Sequence, residues 1–144
     1  MPHRILRDVV KNQKLLCSSP QITVAEAARH MKEAKVGAVM VVEKERLVGI
    51  FTERDALFRV LAEGRDARAT RLAEVMTAAP QTVHPEKPFG HALHMMFEGG
   101  FRHVPVVENG WPIGMVSARD ALGPEMQTFE SELLLREKIG EILG

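Results

Sequence analysis

Gly49-Ile50-Phe51-Thr52-Glu53-Arg54-Asp55 returns 65 residues later as Gly114-Met115-Val116-Ser117-Ala118-Arg119-Asp120. In both copies a glycine opens an apolar run, a hydroxyl residue follows, and an Arg-Asp pair closes the phrase. An apolar run that ends on Thr or Ser reads as a strand passing into a helix, because both residues cap helix starts well. At such a junction a hydroxyl, a carboxylate and the free N–H groups of the first helical turn can converge on a small polar ligand. Two copies imply two related sites, not one catalytic centre.

Outward from the phrase, the register holds without a gap from Pro20–Leu57 to Pro85–Leu122. Pro20 matches Pro85, Ala27 matches Ala92, Met31 matches Met96, and Val41-Val42 matches Val106-Val107. Uninterrupted register through two loops indicates an internal duplication. Each unit carries the same elements. Val24 to Ala34 and Phe89 to Phe97 place apolar residues at helical spacing. Ala38 to Val42 and Leu47 to Phe51 flank a polar turn and read as a β-hairpin, as do His103 to Val107 and Pro112 to Val116. Helices are expected to start at Thr52 and Ser117.

The expected organisation is a helical segment over 1–14, a first repeat over 15–62 and a linker with a short helix over 63–78. A second repeat over 79–123 and an amphipathic helix over 124–144 complete it. Ile5, Leu6, Val9 and Val10 should face inward from the first segment, and Leu72, Val75 and Met76 from the short helix. Met126, Phe129, Leu133, Leu135, Ile139 and Ile142 form an apolar stripe that needs a partner.

The 144 residues carry 19 Lys and Arg against 19 Asp and Glu, a formal net charge of zero. Such a balance argues against electrostatic nucleic-acid binding. The single cysteine, Cys17, excludes an intrachain disulfide and suits a reducing compartment. The opening residues lack the apolar core of a secretory signal. No run approaches the roughly 20 apolar residues that span a bilayer. A soluble cytoplasmic protein without membrane or nucleic-acid partners is expected.

The order of elements, the Gly-x-x-Thr/Ser-x-x-Asp phrase and Arg102-His103-Val104-Pro105-Val106-Val107 together resemble a tandem pair of CBS domains (a Bateman module). The resemblance covers about Leu15 to Gly123. It implies a mixed α+β fold, two β-α-β-β-α repeats packed sheet to sheet with flanking helices. It also implies a sensor, not a catalyst, that binds an adenosine-containing ligand between the repeats: AMP, ADP, ATP, NAD or S-adenosylmethionine. Modules of this family commonly form flat homodimers and pass a signal to a regulated protein partner.

The residues read compatibly by themselves. Asp55 and Asp120 can accept hydrogen bonds from adjacent ribose hydroxyls. Thr52 and Ser117 suit a sugar or phosphate oxygen, and Arg54 and Arg119 can neutralise phosphate. The bland alternative is that Thr52 with Asp55 and Ser117 with Asp120 are only capping boxes, and that the arginines are solvated. Carried over from the family, Arg102 and His103 would approach phosphates, facing Gly37 and Ala38 in repeat one. Thr82 and Val83, with Cys17 and Ser18 as their counterparts, would hold adenine. By this comparison the Asp120 copy takes the more charged ligand.

His91 and His94 lie three apart on one helix, but no third metal ligand has useful spacing. No metal site, required cofactor or catalytic residue is expected. Only His103 is placed to act as a base. The alternative function is a structural module for dimerisation that binds no nucleotide.

Overall fold

The computed structural model describes residues 4–122 and 131–140. In chain order the elements are α1 (Leu6–Val10), β1 (Cys17–Ser18), α2 (Val24–Ala34), β2 (Ala38–Glu43), β3 (Arg46–Thr52) and α3 (Glu53–Asp55), which runs on as a π-helical segment, Ala56–Leu61. Then come α4 (Leu72–Val75), β4 (Thr77–Ala78), α5 (Phe89–Gly99), β5 (His103–Glu108), β6 (Trp111–Ser117) and a 3₁₀ turn, Ala118–Leu122. A helical stretch also covers 131–140. The fold is the mixed α+β arrangement that the family resemblance implied.

Local sequence explains most of these elements. In α2 the residues Val24, Ala27 and Met31 share one buried face, and Thr23 caps the start by accepting the Glu26 N–H at 3.2 Å. In α5 the matching face is Phe89, Ala92 and Met96. The β2–β3 hairpin turns through Lys44 and Glu45, with φ of 50° and 64°. The β5–β6 hairpin turns through Asn109 and Gly110, with φ of 54° and 83°. Two central residues with positive φ make the tight turn whose twist matches antiparallel strands. Both hairpins carry a bulge at the same place, between Val41 and Val42 and between Val106 and Val107.

One sheet has the order β1-β2-β3-β4, with β1 parallel to β2 and the other pairs antiparallel. The second is the β5–β6 hairpin. The leading strand expected in repeat two is reduced there to one parallel bridge between Val83 and Val106. The two hairpins meet where β3 approaches β6, and the Leu47 N–H donates to the Gly110 carbonyl at 3.1 Å.

Two hydrophobic cores result, and their membership crosses the sequence. Leu72 and Val75 precede repeat two, yet they complete the core of repeat one with Val24, Met31, Val41 and Phe51. Leu6 and Val10 precede repeat one, yet they complete the core of repeat two with Phe89, Met96, Val104 and Val116. The backbone shows the same exchange. Leu6 N–H donates to Lys87 and Arg7 N–H to Pro85, while Phe89 N–H donates back to Arg4, at 2.9, 2.8 and 2.7 Å. The twin set is Leu72 N–H to Ile22, Ala73 N–H to Pro20, and Val24 N–H to Thr70, at 3.0, 2.9 and 2.9 Å.

The duplicated unit therefore begins near Arg4 and Thr70, well upstream of the prolines where the sequence match becomes visible. Burying a Leu and Val pair stabilises by about 3–6 kcal/mol. That is on the scale of a small domain's whole net stability, so neither core is complete without the other unit's leading helix.

Of the expected C-terminal stripe, Met126, Phe129 and Ile142 lie outside the described residues. Within 131–140 every residue is exposed, including Leu133, Leu135 and Ile139. No helix among the described residues is long and apolar enough to cross a membrane.

Candidate functional site

Each repeated phrase builds its own cap. Thr52 Oγ1 accepts the Asp55 N–H at 3.2 Å, and Asp55 Oδ2 accepts the Thr52 N–H at 2.9 Å and its hydroxyl at 3.1 Å. This is a capping box with Asp at the third helical position. Asp55 is buried, and its Oδ1 lies 3.4 Å from Arg59 Nε one turn on. In the second copy Asp120 Oδ2 accepts the Ser117 N–H at 2.8 Å, with the Ser117 hydroxyl at 3.5 Å. The box is complete in the first copy, while in the second only the Asp120 half is made, since among the described residues no N–H donates to the Ser117 hydroxyl. In each copy the Asp half engages Oδ2, and among the described residues Asp120 Oδ1 has no hydrogen-bond partner.

A cavity of about 810 Å³ opens beside the first phrase, a volume in the range of small-molecule sites. Repeat one contributes Thr52, Glu53, Arg54 and Asp55, with Ile50, Leu57 and Phe58 as apolar wall. The entry to repeat two contributes Thr77, Ala79, Pro80 and Gln81. Repeat two contributes Gly99, Phe101, Arg102 and His103. Apolar surface for a planar ring, hydroxyl and carboxylate groups, and two guanidinium cations thus face one space. The Arg54 guanidinium crosses between the repeats and donates to the Gly100 carbonyl at 2.9 Å.

His103 feels carboxylates from both copies of the phrase. Burial pushes its pKa below the ordinary 6.5, the carboxylates of Glu53 and Asp120 pull it up, and the neighbouring Arg102 adds to the lowering. Glu53 sits where the halves meet. Its N–H donates to the Gly37 carbonyl at 2.9 Å. A Cβ on Gly37 would lie 3.1 Å from Glu53 Cδ and Oε1, so the carboxylate fills the space that this glycine leaves.

The residues anticipated from sequence divide as follows. Thr52, Arg54, Asp55, Arg102 and His103 line the cavity together. Ser18, Gly37, Ala38, Thr82, Val83, Ser117, Arg119 and Asp120 do not. Ala38 is fully buried opposite Thr52 on β2, and Val83 is buried in the core of repeat two. Thr82 and Arg119 are exposed, and Ser18 and Gly37 are half-buried. Ser117 pairs with His103 across β5–β6.

Sequence comparison grouped Arg102 and His103 with the Asp120 copy. The hairpin register keeps them beside Ser117, but both also open into the cavity that carries Asp55. Glu53, Gln81, Phe58 and Phe101 were not singled out. The available signal was at Glu53, where the otherwise matching phrases differ by a charge, Glu53 against Ala118. His91 and His94 are exposed on α5. Among the described residues no group of three His, Cys, Asp or Glu side chains could hold a metal ion.

Comparison with known proteins gives a consistent result. The family model described as CBS domain matches residues 6–62 and 72–123. These two stretches start at the leading helices that the cores exchange. A mitochondrial CBS domain-containing protein of Arabidopsis thaliana is 35% identical over 116 residues, which is 77% of this chain and 56% of that protein. The chain thus spans little more than half the length of that curated relative. Among solved structures, a protein with CBS domains from Burkholderia ambifaria MC40-6 aligns with a TM-score of 0.79 at 29% identity. It covers 86% of this chain and 95% of its own. A CBS domain protein from Pyrobaculum aerophilum, complexed with AMP, aligns with a TM-score of 0.74 at 25% identity, over 81% and 89% of the two chains.

Proposed function

This chain belongs to the CBS domain family, and from that premise we propose that it is a regulatory module that senses an adenosine-containing ligand in the cavity between its repeats. The observation that carries the reading is the composition of that cavity. Thr52 and Arg54 come from one repeat and Arg102 and His103 from the other, with Phe58, Pro80 and Phe101 as apolar wall. The apolar wall suits a purine, and the hydroxyl and cations suit ribose and phosphate. The AMP held by the Pyrobaculum aerophilum protein supports adenosine as the ligand class.

Because both repeats line the cavity, a ligand there contacts two bodies and favours the arrangement that lets it touch both. Differential affinity for two arrangements is all that a signal to a partner protein requires. Such a module acts by binding and carries out no chemistry. Calorimetry with AMP, ADP, ATP, NAD and S-adenosylmethionine tests the reading. At least one is expected to bind, and more weakly after Arg102→Ala. Silence from all five would refute it.

A second reading rests on the 131–140 helix, whose Leu133, Leu134, Leu135 and Ile139 are exposed. It is dimerisation through that face. Light scattering that finds a dimer in the full chain and a monomer after Leu135→Asp with Ile139→Asp would favour it.

A further inference from the structure

We propose that Glu53 limits the negative charge that the cavity accepts, so that the site takes an adenosine monophosphate and disfavours the triphosphate. The inference rests on the adenosine-sensing reading above and assigns the ligand's charge class.

The charges that line the cavity are Arg54 and Arg102 against Glu53 and Asp55. Burial lowers the His103 pKa, while the carboxylates of Glu53 and Asp120 oppose the shift. The acids are not equivalent. Asp55 is committed to the Thr52 cap and approaches Arg59. Glu53 is exposed, and among the described residues it has no ion-pair or hydrogen-bond partner for its carboxylate. The nearest motif cation in sequence, Arg54, is turned to the Gly100 carbonyl. The Glu53 charge therefore acts on the neighbouring His103 and on whatever occupies the cavity.

The placement is also built. The carboxylate rests against Gly37, where a side chain would press on it, and the Glu53 N–H is pinned to the Gly37 carbonyl. In the second copy of the phrase the same position is Ala118. The charge is thus peculiar to one copy and is not needed for the carboxylate half of the cap, which Ser117 and Asp120 form without it. A monophosphate brings up to about two negative charges near pH 7, which two arginines can match. Each further phosphate adds negative charge close to an uncompensated carboxylate, and like charges at such range repel.

The test is calorimetry of the full chain with AMP, ADP and ATP, without magnesium and at low salt, on the wild type, Glu53→Gln and Glu53→Ala. The wild type is expected to rank AMP above ADP above ATP. Both variants should raise ATP affinity by about tenfold relative to AMP. In the wild type, high salt should narrow the gap between AMP and ATP, because the carboxylate is exposed to screening. That readout needs no variant.

ATP binding the wild type as tightly as AMP would overturn the proposal and leave adenosine sensing intact. So would variants that shift all three ligands equally, or a gap that salt does not change. Failure of every adenosine compound to bind any of the proteins would remove the sensing reading and the proposal together.

Discussion

The backbone of Gly114 lies directly beneath the side chain of Val10, so close that a methyl group on Gly114 would strike Val10 Cβ and both γ-carbons. Gly49 stands in the same relation to Met76. These two contacts seat the exchanged leading segments on the second strand of each hairpin. Their tolerance differs, because valine is stiff about χ1 while methionine is unbranched and adaptable.

Gly114→Ala is therefore expected to destabilise the protein by about 1–3 kcal/mol, and Gly49→Ala by clearly less. Urea denaturation measures both. Equal losses would show that α1 and the Met76 segment are equally free to move.

The two hairpin turns have the same backbone and different residues. Asn109-Gly110 is the pair that positive φ at both positions favours, whereas Lys44-Glu45 holds that conformation without such residues. Replacing Lys44-Glu45 with Asn-Gly should stabilise by about 0.5–1 kcal/mol, read as a raised melting temperature. An unchanged or lower melting temperature would mean that the side chains at 44 and 45 contribute contacts that outweigh their backbone strain.

The caps should respond unequally as well. Asp55→Ala removes the partner of the Thr52 N–H and hydroxyl from a buried position and also takes a carboxylate from Arg59. A loss of about 1–2 kcal/mol is expected. Asp120 is less buried, and the Ser117 hydroxyl stands at 3.5 Å, so Asp120→Ala should cost less than Asp55→Ala. Chemical denaturation of the two variants, side by side, decides the order.

His103 gives stability a pH dependence with a definite sign. Its folded-state pKa is lowered chiefly by burial, while Glu53 and Asp120 oppose the shift and Arg102 adds to it. Above the unfolded value, 6.5, both states are neutral and the contribution is fully present. As pH falls below 6.5 the unfolded chain takes up the proton first, so stability declines through the window down to the lowered native value. His103→Gln should flatten that part of the pH profile in denaturation experiments. A profile that keeps its slope in the variant would place the proton elsewhere. Binding of an anionic ligand opposes the lowering, so it should be accompanied by proton uptake within the window below 6.5.

Much of the fold is legible because its signals are local. The apolar spacing of Val24, Ala27 and Met31 specifies a helix face. Thr52 and Ser117 mark where strands stop, because their caps are closed within three residues. The Asn109-Gly110 pair announces a turn. The leading segments were harder to read. Leu6 and Val10, or Leu72 and Val75, look like ordinary short helices, and nothing in their spacing says whose core they fill. The match between the segments at Arg4 and Thr70 is also out of step with the 65-residue register, and few identical residues carry it.

The candidate site divides along the same line. The phrase itself identified Thr52, Arg54 and Asp55, and comparison of the copies drew attention to Arg102 and His103. Their meeting in one cavity depends on how one repeat docks on the other.

The sequence alone determined the duplication, the two hairpins, the helix faces and the caps, because each depends on neighbours within a few residues or on a repeated pattern. Only the tertiary structure decided that the leading helices are exchanged and that Arg102 and His103 face the Asp55 copy. These are long-range contacts set by burial of Leu6, Val10, Leu72 and Val75 against the opposite core, and a one-dimensional pattern does not encode which surface an apolar face will cover.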